Sequence, residues 1–227
     1  MVAIFVLVLF LSALIIDLLL LNFQGKYHPA FEQAFSPLDK ILFNKNNYLF
    51  PSDLQLSKGH TWLRKNNDGT VDLGLDSFGK IILGTVPIIS YAAEGRQIKL
   101  GDILFEARRG DNKIKFLSPI SGNVKAVNKN LDGNLISDTY STWNLKLIPE
   151  NYSENEKMLI SGKKAKNWIK NEFKELKKFI DLYSPENSST GVTMYDGGSI
   201  SDDAVSFIVF NNSNDFEMKF QSNKSEN

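Results

Sequence analysis

Thr61-Trp62-Leu63-Arg64, Asn67-Asp68-Gly69 and Thr70-Val71-Asp72-Leu73 form the stretch whose reading decides the fold. Two short apolar runs, rich in β-branched and aromatic residues, flank an Asn-Asp-Gly turn. Outward from it the pattern repeats: Ile81 to Leu83, Val86 to Tyr91, Ile103 to Ala107 and Lys113 to Leu117, then the turn Ser118-Pro119-Ile120-Ser121-Gly122. Asn123 to Val127 and Trp143 to Ile148 complete the series. Short strands at this spacing predict a mainly β domain, a sandwich or a barrel, with helix a minor component.

The segments on either side differ in kind. From Val2 to Leu21 every residue is apolar except Ser12 and Asp17. About 20 positions at ~1.5 Å rise suffice for a ~30 Å hydrocarbon core, so the run predicts a transmembrane helix. A cleaved signal peptide would carry a basic n-region and a small-residue cleavage site, whereas here Asn22-Phe23-Gln24 follows the run. Lys26, Lys40 and Lys45 lie on its C-terminal side, which places the body of the chain in the cytoplasm. Asp17 is read as a carboxylate reaching toward the interface, the alternative being contact with a partner helix. Residues 23–56, with Pro29, Pro37, Pro51 and many aromatics, show no sustained period and read as a linker.

Beyond the β domain, Ala165, Ile169, Phe173, Leu176, Ile180 and Tyr183 recur at three- and four-residue spacing, widened by Trp168, Phe179 and Leu182. This marks an amphipathic helix over 161–183 whose other face is rich in lysine. It is expected to pack on the β domain, the alternative being an anionic membrane surface. In the tail, Met194-Tyr195-Asp196-Gly197-Gly198 reads as a turn, Ala204 to Phe210 as a short strand, and the terminal residues as disordered. The division is therefore an anchor at 1–22, a linker at 23–56, a β domain at 57–160, a helix at 161–183 and a tail at 184–227.

Composition excludes several functions. The 227 residues contain no cysteine, so disulfides, thiolate metal sites and thiol nucleophiles are absent. Lysine plus arginine and aspartate plus glutamate number 26 each, which gives no electrostatic case for nucleic acid. His28 and His60 are the only imidazoles, too few for a multi-histidine metal site, and His60 reads as structural. There is no phosphate-binding glycine loop, and Asp202-Asp203 lacks a companion base. Neither an enzyme nor a small-molecule substrate is expected.

A family resemblance emerges from motifs in register. His60-Thr61-Trp62-Leu63, Asp68-Gly69-Thr70-Val71 and Gly74-Leu75-Asp76 resemble the opening of the glycine cleavage system H protein. Glu94-Gly95, Ile98, Gly101-Asp102, and Ser118-Pro119-Ile120-Ser121-Gly122 through Val127-Asn128 resemble its middle. Leu131, Leu135, Asp138, Tyr140, Trp143 and Pro149 resemble its closing segment, with a shorter loop between Asn128 and Tyr140. The resemblance runs from near Leu56 to near Ser161. It implies a lipoyl-type barrel-sandwich hybrid with a projecting hairpin, whose tip lysine carries lipoate between partner enzymes; the family carries and does not catalyse.

Gly101-Asp102 and Ser118-Pro119 keep the family's spacing, so counting places the lipoyl-lysine position on Asp111, which forms no amide with lipoate. The family's glutamate three residues earlier is Arg108. Gly110-Asp111-Asn112 remains good tight-turn chemistry. Lys113 is the fallback acceptor, although it should already lie on the returning strand. Arg108, Arg109, Gly110, Asp111, Asn112, Lys113 and Lys115 form the expected hairpin-tip contact, whose basic cluster suits an anionic partner or headgroups, the plainer reading being a solubilising charged hairpin. The expected function is a membrane-tethered docking module with no cofactor. The alternatives are a lipoyl or acyl carrier modified at Lys113 and, last, a secretion-type membrane adaptor, which would need a helical hairpin between the barrel halves.

Overall fold

The computed structural model describes residues 6–8, 10–17, 37–129, 139–184 and 203–221. The chain divides into two compact units, Met1–Asn46 and Asn47–Asn227. The linker stretch 23–36, the loop positions Leu131, Leu135 and Asp138, and the turn Met194–Gly198 lie outside the described residues.

In the first unit, residues 6–8 and 10–17 are helical, and a further helix α1 spans Pro37–Leu42. The expectation of a membrane-spanning helix with a cytoplasmic body is corrected here. Among the described residues no helix is long and apolar enough to cross a membrane. Positions 2–5, 9 and 18–21 of the apolar run lie outside the described residues.

The second unit is built on two antiparallel sheets. The larger has the order β10-β1-β2-β3-β9-β8-β5, from β1 (Gln55–Leu56), β2 (Thr61–Lys65), β3 (Val71–Leu75), β5 (Gln97–Ile98), β8 (Ser121–Val127), β9 (Leu145–Glu150) and β10 (Ile160–Ser161). The smaller has the order β4-β6-β7, from β4 (Ile88–Tyr91), β6 (Ile103–Arg109) and β7 (Asn112–Leu117). Strand β1 pairs with both β2 and β10, and Leu54 and Leu56 are fully buried. The β domain thus begins inside the stretch read as linker.

Local chemistry sets the register. Between β2 and β3 the chain reverses through Gly69, at φ +80, while the Asp68 carboxylate accepts bonds from the Thr70 amide and hydroxyl. Those bonds, with Lys125 nearby, hold the Asp68 carboxyl down to about 2. Two close approaches demand glycine: a Cβ on Gly74 would lie 2.6 Å from the Trp62 ring, and one on Gly122 would lie 2.3 Å from the Ile148 carbonyl oxygen. The fully buried Trp62 donates its indole N–H to the Thr139 carbonyl at 2.6 Å.

Helices cover this framework. Helix α2 (Ser77–Leu83) starts where Asp76 Oδ1 accepts the Gly79 amide at 2.8 Å, and stops at Gly84, φ 56. Ile81 to Leu83, read as a strand, is therefore helical. The cap at Asp76, worth about 1 kcal/mol, and the i, i+4 burial of Phe78 and Ile82 outweigh the β-branched run. After a short turn of helix at Tyr152–Asn155, helix α3 (Gly162–Tyr183) buries Ala165, Ile169, Phe173, Leu176, Phe179 and Ile180, while Leu182 is 74% exposed.

The tail reading also needs correction. Asp203–Asn211 is helix α4, not a strand, and Ser213–Phe220, read as disordered, is helix α5. Helix α4 buries Ala204, Val205, Ser206, Ile208, Val209 and Phe210, so its sequence is apolar almost all round and carries no period to separate helix from strand. Helix α5 is held by Phe216 and Phe220, one turn apart, against Phe78 and Phe179.

Candidate functional site

The β6–β7 hairpin closes on the two residues Gly110 and Asp111 between the last strand pair Arg109↔Asn112. Gly110 sits at φ +60 and Asp111 does not share a positive φ, the pattern of a tight turn with glycine at its first central position. The apex therefore presents an exposed carboxylate, Asp111, and no lysine.

The strand register sorts the other tip residues between faces. Arg108 lies opposite Lys113 and Glu106 opposite Lys115, so these four share one face. Glu106 Oε1 is 3.4 Å from Arg108 Nη2 and 3.3 Å from Lys113 Nζ. Lys113 is thus on the returning strand, in an ion pair and away from the apex. Arg109 faces the other way. Its Nη1 donates to Ser206 Oγ at 2.6 Å, and its guanidinium lies 5.5 Å from the centre of the Phe207 ring. The amide of Lys115 donates to Glu217 Oε1 at 3.1 Å. The hairpin thus brings Arg108, Lys113 and Lys115 together around Glu106 and separates Arg109 from them.

A family model described as the glycine cleavage H-protein matches residues 54–172. The chain belongs to the glycine cleavage H-protein family. The glycine cleavage system H protein of Nitrosospira multiformis is 32% identical over 115 residues, covering 49% of this chain and 89% of that protein. The probable glycine cleavage system H protein of Pyrococcus horikoshii is 28% identical over 126 residues, covering 54% of this chain and 94% of that protein. The crystal structure of a glycine cleavage system H protein from Mycobacterium marinum aligns with a TM-score of 0.44 at 20% identity, covering 52% of this chain and 98% of that one. Membership of the glycine cleavage H-protein family gives the membrane reading no support either. Helices α4 and α5 lie beyond the segment that the H-protein model matches.

Ser206, Phe207 and Glu217 are the residues that reading the sequence missed, because they come from the tail, about a hundred positions from the hairpin they touch. Phe216 and Phe220 at helical spacing were the available signal of order there. His60 of this H-protein family chain is fully buried, in the left-handed region at φ 60, and stacked on Phe78 with ring centroids 3.9 Å apart. Its Nδ1 is 3.2 Å from Asp76 Oδ2 and its Nε2 is 3.7 Å from Glu172 Oε2. It ties β2 to α2 and α3. Burial raises the Glu172 carboxyl above its ordinary value, partly offset by His60. Among the described residues no group of three or more His, Cys, Asp or Glu side chains fits a metal ion.

Proposed function

We propose that this chain is a non-catalytic H-protein-type module without a lipoyl group, which docks on a partner protein through its hairpin. The observation that carries this reading is the apex itself: Gly110 and Asp111 make the turn, and Asp111 occupies the position where the family's lysine would be counted. A carboxylate forms no amide with lipoate. Arg108, in place of the family's glutamate, removes a second element of acceptor recognition. The outer face, with Arg108, Lys113 and Lys115 around the single carboxylate Glu106, suits a carboxylate-bearing segment of the partner.

The deciding experiment is the intact mass of the full-length chain purified from its own source. No added mass on the peptide that carries Asp111 and Lys113 is expected. An excess of one lipoyl or other acyl group on Lys113 would overturn the reading and make the protein a carrier. Docking is checked separately by co-purification from the same source. Reversing charge with Arg108→Glu and Lys113→Glu together should remove the partner recovered with the parent chain, and undiminished recovery would take the hairpin out of the interface.

A further inference from the structure

Strand β7 is an edge of the sheet β4-β6-β7, and an edge strand presents unpaired backbone groups to any passing strand. Here the tail covers that edge. Glu217 of α5 accepts the Lys115 amide, a charge-assisted bond to a backbone N–H that would otherwise point out of the sheet. On the inner flank of the tip, Arg109 reaches Ser206 and Phe207 of α4. Ser206 is fully buried and gives its own proton to the Asp203 carbonyl at 3.0 Å, which leaves its lone pairs to accept from Arg109.

The other side of the helix pair is tied to the body of the domain. The Asp203 carboxylate accepts from the Thr85 amide and hydroxyl, the Tyr183 hydroxyl donates to Asp215 at 2.6 Å, and Lys219 lies 3.2 Å from Glu175. Phe216 and Phe220 sit against Phe78 and Phe179. None of the helix pair falls within the family-matched residues 54–172. This chain therefore adds to an H-protein-type hairpin a segment that grips it from one side.

We propose that α4 and α5 form an intramolecular clamp on the hairpin. The clamp closes the β7 edge and the inner flank of the tip. It leaves partners the outer face with Arg108, Lys113 and Lys115, and it prevents strand addition at β7 by a partner or a second copy. The inference rests on the reading of the hairpin as a docking element.

Amide hydrogen exchange on the full chain tests the clamp, comparing the parent with Glu217→Ala, Glu217→Gln and Arg109→Ala. In Glu217→Ala the Lys115 amide should exchange at least about tenfold faster, the factor that corresponds to losing one hydrogen bond to a charged group. Glu217→Gln, which keeps an acceptor without the charge, should fall between parent and Glu217→Ala. Arg109→Ala should speed exchange across residues 203–211. In all three variants the amides of β2 and β3 should keep their parent rates. Unchanged rates at Lys115 and at 203–211 would overturn the clamp. So would acceleration spread equally over β2 and β3, which would make the contacts part of general stability. An acyl group found by intact mass would refute the docking reading without altering these rates, so the two failures are distinguishable.

Discussion

Arg108 and Lys113 face each other across the hairpin as a directly opposed pair of cations, and Glu106 Oε1 reaches both, at 3.4 and 3.3 Å. Like charges opposite one another destabilise a strand pair, so the single carboxylate offsets that repulsion. Glu106→Gln should cost about 0.5–1 kcal/mol, the range for a partly exposed charge network. Urea unfolding at low and high salt checks this, and the cost should shrink as salt screens the two cations.

If Asp111 occupies the acceptor position, the acceptor can be rebuilt. The double variant Asp111→Lys with Arg108→Glu, incubated with lipoate, ATP and a lipoate ligase, should gain one lipoyl group by mass while the parent gains none. A double variant that stays unmodified would break the count from Gly101-Asp102 to Ser118-Pro119.

Gly122 and Gly74 carry side-chain-free contacts of different kinds. A Cβ at Gly122 would meet the backbone of Ile148 and Pro149 on the paired strand, which cannot retreat without opening the sheet; a Cβ at Gly74 would meet the Trp62 ring. Both alanine variants should lose about 1–3 kcal/mol or more, as overpacked sites do, with Gly122→Ala the worse. Thermal or urea melts order the two, and a neutral Gly122→Ala would contradict the β8–β9 register.

Phe216 is fully buried against Phe78, Phe179 and Phe220. Phe216→Ala should cost about 3–5 kcal/mol, the range for deleting a buried aromatic ring. A loss below about 1 kcal/mol by chemical denaturation would show that the tail helices contribute little to the domain.

The raised carboxyl of Glu172 sets a pH signature. Its folded value exceeds the unfolded one, so the folded state holds the proton more tightly and stability falls as pH rises from near 4.5 through the folded value. Glu172→Gln removes this titration. Melting temperatures of variant and parent should converge below pH 4.5, and the parent should fall behind the variant as pH rises through that window. A gap that is constant with pH would mean that His60 cancels the cost of burial.

The β framework was legible because its signals are local. Asn67-Asp68-Gly69 makes its turn with its own side chains and a glycine at positive φ, and Gly110-Asp111 fills a two-residue turn. Motif spacing carried the family in the same way. The misread segments are those whose local signal was ambiguous. Ile81 to Leu83 is apolar and opens with two β-branched residues, yet the decisive atom is Asp76 Oδ1 at the start of the turn before it. Ala204 to Phe210 is apolar but for Ser206, so its period says nothing, and burial against α2, α3 and β7 makes it a helix.

What the sequence by itself determined is the set of turns, the lengths between them and the carboxylate at the hairpin apex, since these depend only on neighbours along the chain. Arg108 and Arg109 show what it left open. In sequence they are one basic pair, but the pleat sends them to opposite faces, one to Glu106 on the same hairpin and the other to Ser206, 97 positions away. Only the tertiary structure decided that division, because a long-range partner is chosen by which surfaces meet when the core closes, and no local spacing encodes that meeting.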